Sequence, residues 1–249
     1  MKGIAILGAT GGLGSAIAPL LAQRAPLTIG YSRSRDKATA LVSNIEGAGG
    51  KAQALQVDMT QGESVRAFFE QASARWGGLQ AIVSSTGPAI PLRPMSQVSE
   101  DDFQRIYQTD VYGSFNVLRH GSALLAANGG GAMVLFVTTA VLRTLENDGM
   151  SGGPKTAVAG LIRQFARETG AANVRCNGVA PGVIDAGIVH SSFEADEVAK
   201  GVIADCMNKT PMGRMGKPEE IAALVDFLVS PGAGYISGQI IGIDGGYSA

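Results

Sequence analysis

The stretch 149–160, GMSGGPKTAVAG, is small or apolar except for one charge, Lys155. One helical turn earlier stands Ser151, a hydroxyl with little reach. Near the start of the chain, GATGGLG sets Gly8, Gly12 and Gly14 in G-x-x-x-G-x-G spacing directly before an apolar helical run. Glycines let a backbone approach a pyrophosphate, and a helix N-terminus adds unpaired N–H groups and positive potential. The competing reading is a plain tight turn. Further on, GYSRSRDK has Tyr31 and Ser32 where a site selective for NAD places a carboxylate for the ribose 2′-hydroxyl. Arg33 and Arg35 follow, and guanidinium groups suit a 2′-phosphate through charge-assisted hydrogen bonds. These residues predict NADP in preference to NAD, the alternative being two solvated charges at a helix start. Asp58, in VDMT, is placed to reach an adenine edge.

The elements that must hold these residues alternate. Short apolar runs at 3–8, 27–32, 51–59, 79–87, 132–139, 174–182 and 238–244 read as strands. Amphipathic runs at 14–25, 35–49, 63–77, about 99–127, about 154–170 and 218–230 read as helices. Apolar strands separated by helices imply parallel βαβ units with both sheet faces covered. The expected architecture is a single-domain α/β fold over 1–249: a Rossmann-type doubly wound parallel sheet in a three-layer α/β/α sandwich. The span 183–217 is least regular and reads either as a substrate lid or as a surface helix pair. Pro154 is costly inside a helix, and Gly152 and Gly153 precede it, so the helix carrying Lys155 is expected to begin near 153.

With 249 residues the chain suits one large domain. Net charge is −1 with both signs scattered, which argues against nucleic acid as partner. No apolar run is long enough for a membrane span. Cys176 and Cys206 show no metal or redox spacing and read as small buried hydrophobes in a reducing, cytoplasmic setting, so no metal site is expected.

Taken together, the glycine turn, VDMT, VRCNGVAPGVI, Lys155 and the ending PMGRMGKPEEIAALVDFLVS…GYISGQIIGIDGG resemble the short-chain dehydrogenase/reductase family, close to its 3-oxoacyl-[acyl-carrier-protein] reductase type, over essentially the whole chain. The resemblance implies a nicotinamide cofactor held by Gly8, Gly12, Leu13, Gly14, Arg33, Asp58, Met59, Gly87, Lys155, Pro181, Gly182 and Ile184. It also implies a homotetramer, with the apolar C-terminal segment buried between subunits.

In that family a Tyr-x-x-x-Lys helix carries the chemistry. The tyrosine passes a proton to the substrate oxygen as hydride moves, and the lysine binds the nicotinamide ribose and lowers the tyrosine pKa. Four residues before Lys155 this chain has Ser151, a far weaker acid than a phenol and several ångströms shorter. Thr138, thirteen residues before Ser151, matches the family's serine, with Thr139 as alternative. Asp110 stands at the asparagine position, SSTG (84–87) replaces Asn-Asn-Ala-Gly, and Ala186 replaces a threonine. Asp110 reads either as a catalytic acid/base or as the counter-ion of Lys155, which would lower its pKa. Tyr107 and Tyr112 flank it, and Tyr112 could stand in for the lost phenol, as could water or a group of the substrate. His120 reads as structural, and His190 as the better substrate contact. Three functions stay open. The first is NADPH-dependent reduction of a ketone, a small molecule or a 3-oxoacyl thioester on a carrier protein. The second is non-redox chemistry (isomerase, dehydratase or cyclase) by Asp110, Thr138 and Lys155. The third is a non-catalytic subunit paired with an active homologue.

Overall fold

The computed structural model describes residues 1–187, 189–190 and 197–249. Seven parallel strands form one sheet: β1 (Gly3–Leu7), β2 (Leu27–Tyr31), β3 (Ala52–Gln56), β4 (Leu79–Ser84), β5 (Gly131–Phe136), β6 (Val174–Pro181) and β7 (Ile240–Ile243), in the order β3-β2-β1-β4-β5-β6-β7. Successive strand residues face opposite layers. Ile4 and Ile6 join the core beneath α1 (Gly14–Ala22), α2 (Arg35–Gly47) and α8 (Pro218–Val229), while Ala5 and Leu7 join the core beneath α3 (Gly62–Trp76), α5 (Gly113–Ala127) and α6 (Gly149–Thr169). The doubly wound three-layer sandwich expected from the alternation is the fold observed. Strand order reverses between β1 and β4, so the loops after these two strands open a crevice at their carboxyl ends.

The predicted helix at 99–127 is α4 (Glu100–Tyr107) and α5 joined by a π-helical turn, Gln108–Tyr112, with Asp110 at its centre. Single π turns interrupt a helix at a local cost and recur at functional sites. Part of the irregular span is helical too, as α7 (Glu197–Asn208). The expected lid also includes residues 188 and 191–196, which lie outside the described residues. No described helix is long and apolar enough to cross a membrane.

One boundary differs from expectation in a way that matters. Helix α6 begins at Gly149, not near 153, and runs regularly through Ser151. The Asp148 carbonyl opens its ladder, accepting from the Ser151 and Gly152 amides at 3.1 and 3.0 Å. Pro154 sits in the second turn, where its missing amide removes one bond to the carbonyl four residues back. Packing outweighs that loss, since Pro154 and Met150 are both buried. Neither glycine ends the helix, and Gly153 sits in a close approach, whereas a side chain on Gly152 would meet ordinary van der Waals contact. A Cβ on Gly152 would lie 3.5 Å from the Ala140 Cβ, and one on Gly153 would lie 3.2 Å from the Tyr107 hydroxyl.

Helix α5 is seated as closely on the sheet. A Cβ on Gly121 would come within 2.7 Å of Ile82 Cδ1 and 2.8 Å of Met133 Cε. Gly121→Val is therefore expected to overpack this layer and cost roughly 1–3 kcal/mol, read as a lowered midpoint in urea unfolding; an unchanged midpoint would contradict the packing.

Candidate functional site

The glycine turn is built as its spacing implies. Gly8 has φ +79°, and a Cβ on Gly14 would sit 2.2 Å from the Gly8 carbonyl oxygen, so neither position accepts a side chain without moving backbone. Gly12 is pressed from the other side by Gly187, whose Cα lies 2.7 Å from where a Gly12 Cβ would be. Beyond β2, Arg33 and Arg35 are exposed, and neither has an ion-pair partner among the described residues. Asp58 is exposed after β3, its Oδ1 accepting from the Thr60 amide and hydroxyl at 2.9 and 2.7 Å. Met59 is buried, its carbonyl held by Asn116 Nδ2 at 2.8 Å.

From this turn a cavity of about 510 Å³ runs inward along the strand ends. Gly12, Leu13, Gly87, Pro181, Gly182 and Ile184 line it together with Asp110, Thr138, Ser151 and Lys155. Asp110 and Lys155 are only 4% and 8% exposed. Lys155 Nζ lies 3.1 Å from Asp110 Oδ1 and donates to the Thr86 carbonyl at 3.2 Å. An ammonium has three donors, so one is left for a ligand hydroxyl. Burial pushes the Asp110 carboxyl above the ordinary carboxylate range, with Lys155 pulling in the opposite direction. This overturns the expectation of a lowered Asp110 pKa, because loss of hydration outweighs the ion pair.

Thr138 and Thr139 separate clearly. Thr139 Oγ1 donates to Asp244 Oδ2 at 2.6 Å, whereas the Thr138 hydroxyl accepts only a long 3.3 Å bond from the Ala140 amide. Thr138 is thus the freer of the two toward a ligand. Neither flanking tyrosine reaches the cavity. Tyr112 is 48% exposed and packs toward Phe115, and Tyr107 stacks on Phe103 at 4.3 Å, both lining an outer groove. The rescue of the lost phenol by Tyr112 is therefore corrected: the π turn directs Asp110 inward and leaves the tyrosines outside. His190 Nε2 pairs with Asp185 Oδ1 at 2.8 Å on the surface, away from the cavity, and His120 is half-buried beside the Glu63–Arg66 pair.

Three residues that sequence reasoning passed over also face the cavity: Asp148, Cys206 on α7, and Tyr247. Asp148 is the residue before α6, the position where an aspartate signals a helix start. Placing that start four residues late hid it.

Residues 8–248 match the family model described as enoyl-(acyl carrier protein) reductase. The hydroxynaphthalene reductase-like protein Arp2 of Metarhizium anisopliae is 30% identical over 253 residues, 97% of this chain and 92% of the relative. A cis-4-hydroxycyclohexanecarboxylate dehydrogenase of Sinomonas cyclohexanicum is 32% identical over 244 residues, 98% of this chain and 95% of the relative. Among solved structures, levodione reductase is similar with a TM-score of 0.92 and 25% identity, over 99% of this chain and 97% of that chain. A short-chain type dehydrogenase/reductase from Mycobacterium ulcerans gives 0.91 and 28%, over 99% and 90%.

The buried ion pair makes a pH-dependent prediction. Lys155→Met leaves Asp110 buried without a counter-ion, expected to cost about 3–5 kcal/mol at pH 8. At pH 5 the loss is smaller. A carboxyl whose folded pKa is raised stabilises below its unfolded pKa and loses that contribution as pH rises, so the orphaned Asp110 is tolerated best when protonated. Urea unfolding at the two pH values checks this, and equal losses at both would contradict it.

Proposed function

The chain belongs to the short-chain dehydrogenase/reductase family, and on that premise we propose that it is an NADPH-dependent reductase of a ketone with an altered proton-donating set. The family's oxidoreductases use a nicotinamide cofactor. The observation that carries the reading is Lys155: a buried ammonium in a cavity that the glycine turn also lines, with one donor to spare. The residues present fit such a cofactor. Gly8 and Gly14 allow the tight turn whose Gly12 and Leu13 line the cavity, the start of α1 offers N–H groups, and Arg33, exposed and without an ion-pair partner among the described residues, suits a 2′-phosphate. Lys155 would hold the nicotinamide ribose, and Asp58, Met59, Gly87, Pro181, Gly182 and Ile184 would flank the rest. The bound group would supply the hydride. Thr138 would hold the carbonyl oxygen, and Asp110 would keep Lys155 charged and in place.

Ile90, Leu92, Leu145, Val202 and Ile203 give the cavity apolar walls, which favour a substrate with an uncharged hydrocarbon body. A 3-oxoacyl thioester, the substrate suggested by the sequence resemblance, and a cyclic ketone, suggested by the names of the relatives, both meet that description. Ser151 in place of tyrosine is the one observation favouring a second reading: non-redox chemistry by Asp110, Thr138 and Lys155, or a non-catalytic subunit. We further propose a homotetramer. Phe227 and Tyr235 in the C-terminal segment are exposed aromatic surface that a neighbouring subunit would cover.

Fluorescence titration of the purified protein is expected to show tighter binding of NADPH than of NADH. Arg33→Ala is expected to weaken NADPH binding about tenfold, the equivalent of one charge-assisted bond, and leave NADH unchanged. Binding of neither cofactor would overturn the redox reading, and equal binding of both would overturn the NADP preference. Turnover of cyclic ketones and of 3-oxoacyl thioesters, followed by NADPH absorbance, then ranks the substrates. A monomer by light scattering would overturn the tetramer.

A further inference from the structure

We propose that Asp148, acting through the Ser151 hydroxyl, is the acid that protonates the substrate oxygen, in place of the phenol this chain lacks. The proposal rests on the ketone-reduction reading above.

Three observations place it. Asp148 precedes α6 at the N-cap, yet its side chain caps no helical amide. Asp148 is instead only 8% exposed and lines the cavity, as does Ser151 one helical turn further on. Asp148, Ser151 and Lys155 are spaced by three and four residues, so from the N-cap inward they follow one face of the helix. Ser151, too short to reach where a tyrosine would, thereby gains an acid behind it.

The chemistry matches the placement. Burial lifts the Asp148 pKa from 3.8 to about 7, with the Ser151 hydroxyl pulling it down. An acid with a pKa near the working pH is the most effective donor. Once the proton has left, Ser151 and the positive end of α6 favour the carboxylate. The groups facing Asp148 do not compete. The Cys206 thiol on α7 is raised by burial to about 11, and the neighbouring Tyr247 phenol is raised as well. Beside Tyr247 stand Arg143 and Lys209. Across the cavity, Asp110 is committed to Lys155.

The step balances. The carbonyl carbon accepts hydride, two electrons and a hydrogen nucleus, from the dihydronicotinamide, which is oxidised. As the C=O π bond breaks, its oxygen takes the proton of the Ser151 hydroxyl, and the Ser151 oxygen takes that of the Asp148 carboxyl. The products are an alcohol, the oxidised cofactor and the Asp148 carboxylate, which regains a proton from water.

The test uses Asp148→Asn and Ser151→Ala in the full-length protein. Wild-type kcat/KM is expected to fall as pH rises through about 7. Asp148→Asn is expected to lose roughly 100-fold or more in kcat and to lose that pH limb, with NADPH affinity unchanged. Ser151→Ala removes only the relay and is expected to lose kcat with the fold and affinity intact, which keeps the idea testable should the asparagine variant fail to fold. A readout without cofactor accompanies these. Because the folded pKa of Asp148 is raised, wild-type stability falls from pH 5 to pH 8, so Asp148→Asn should gain several degrees of Tm over wild type across that range. Asp148→Asn with wild-type rate and profile would overturn the acid alone. Wild type that binds NADPH yet reduces no ketone would overturn the ketone reading and the acid with it.

Discussion

Lys155 is only 8% exposed, so its ammonium has given up most of its hydration and recovers it from acceptors on two other elements. One is the Asp110 carboxylate, in the π turn between α4 and α5; the other is the Thr86 carbonyl just after β4. Each acceptor constrains its own segment. Thr86 fixes the loop after β4, beside the point where strand order reverses and the crevice opens. Asp110 is held inward only because the π turn breaks the regular helix at that position. Burying either charge alone would cost several kcal/mol, so α6, the π turn and the β4 loop have to arrive together. That requirement links the local cost of a π turn to the geometry of the cavity.

The sheet was legible because its signals are local. Each of the seven strands is a short apolar run bounded by glycine or a polar turn, and GATGGLG announces a close backbone approach that the Gly8 φ of +79° and the crowding at Gly14 make explicit. The helix start at 149 was not legible, because Pro154 and two glycines argue locally for a break. Their tolerance is tertiary: Pro154 is buried and Gly153 lies against the Tyr107 hydroxyl, packing that the local sequence does not encode. The same error concealed Asp148, since an aspartate signals a helix start only when the start is read in the right place. The π turn escaped for a related reason. One extra residue per turn leaves no mark on the hydrophobic period, but it decides that Asp110 faces in and Tyr112 faces out.

The direction of the Asp110 shift was misjudged on different grounds. Spacing and resemblance place a lysine beside it, and an opposite charge lowers a carboxyl pKa. Neither shows how little water reaches the pair. At 4% exposure the desolvation of the carboxylate is the larger effect.

The cavity therefore holds two carboxyl groups in unlike surroundings, an arrangement that separates roles without separating residue types. Asp110 faces a buried ammonium and is tied into an ion pair. Asp148 has no ion-pair partner among the described residues and faces hydroxyl, thiol and apolar groups, so burial acts on it nearly unopposed and its proton is held until near neutrality. Exchanging the partners would exchange the behaviour, because the carboxyls themselves are the same. What distinguishes them is where α6 begins. Four residues of additional helix bring Ser151 into line with Lys155 and set Asp148 at the cavity wall. Had α6 begun near 153, neither the hydroxyl nor the acid behind it would be held by the helix that carries the lysine.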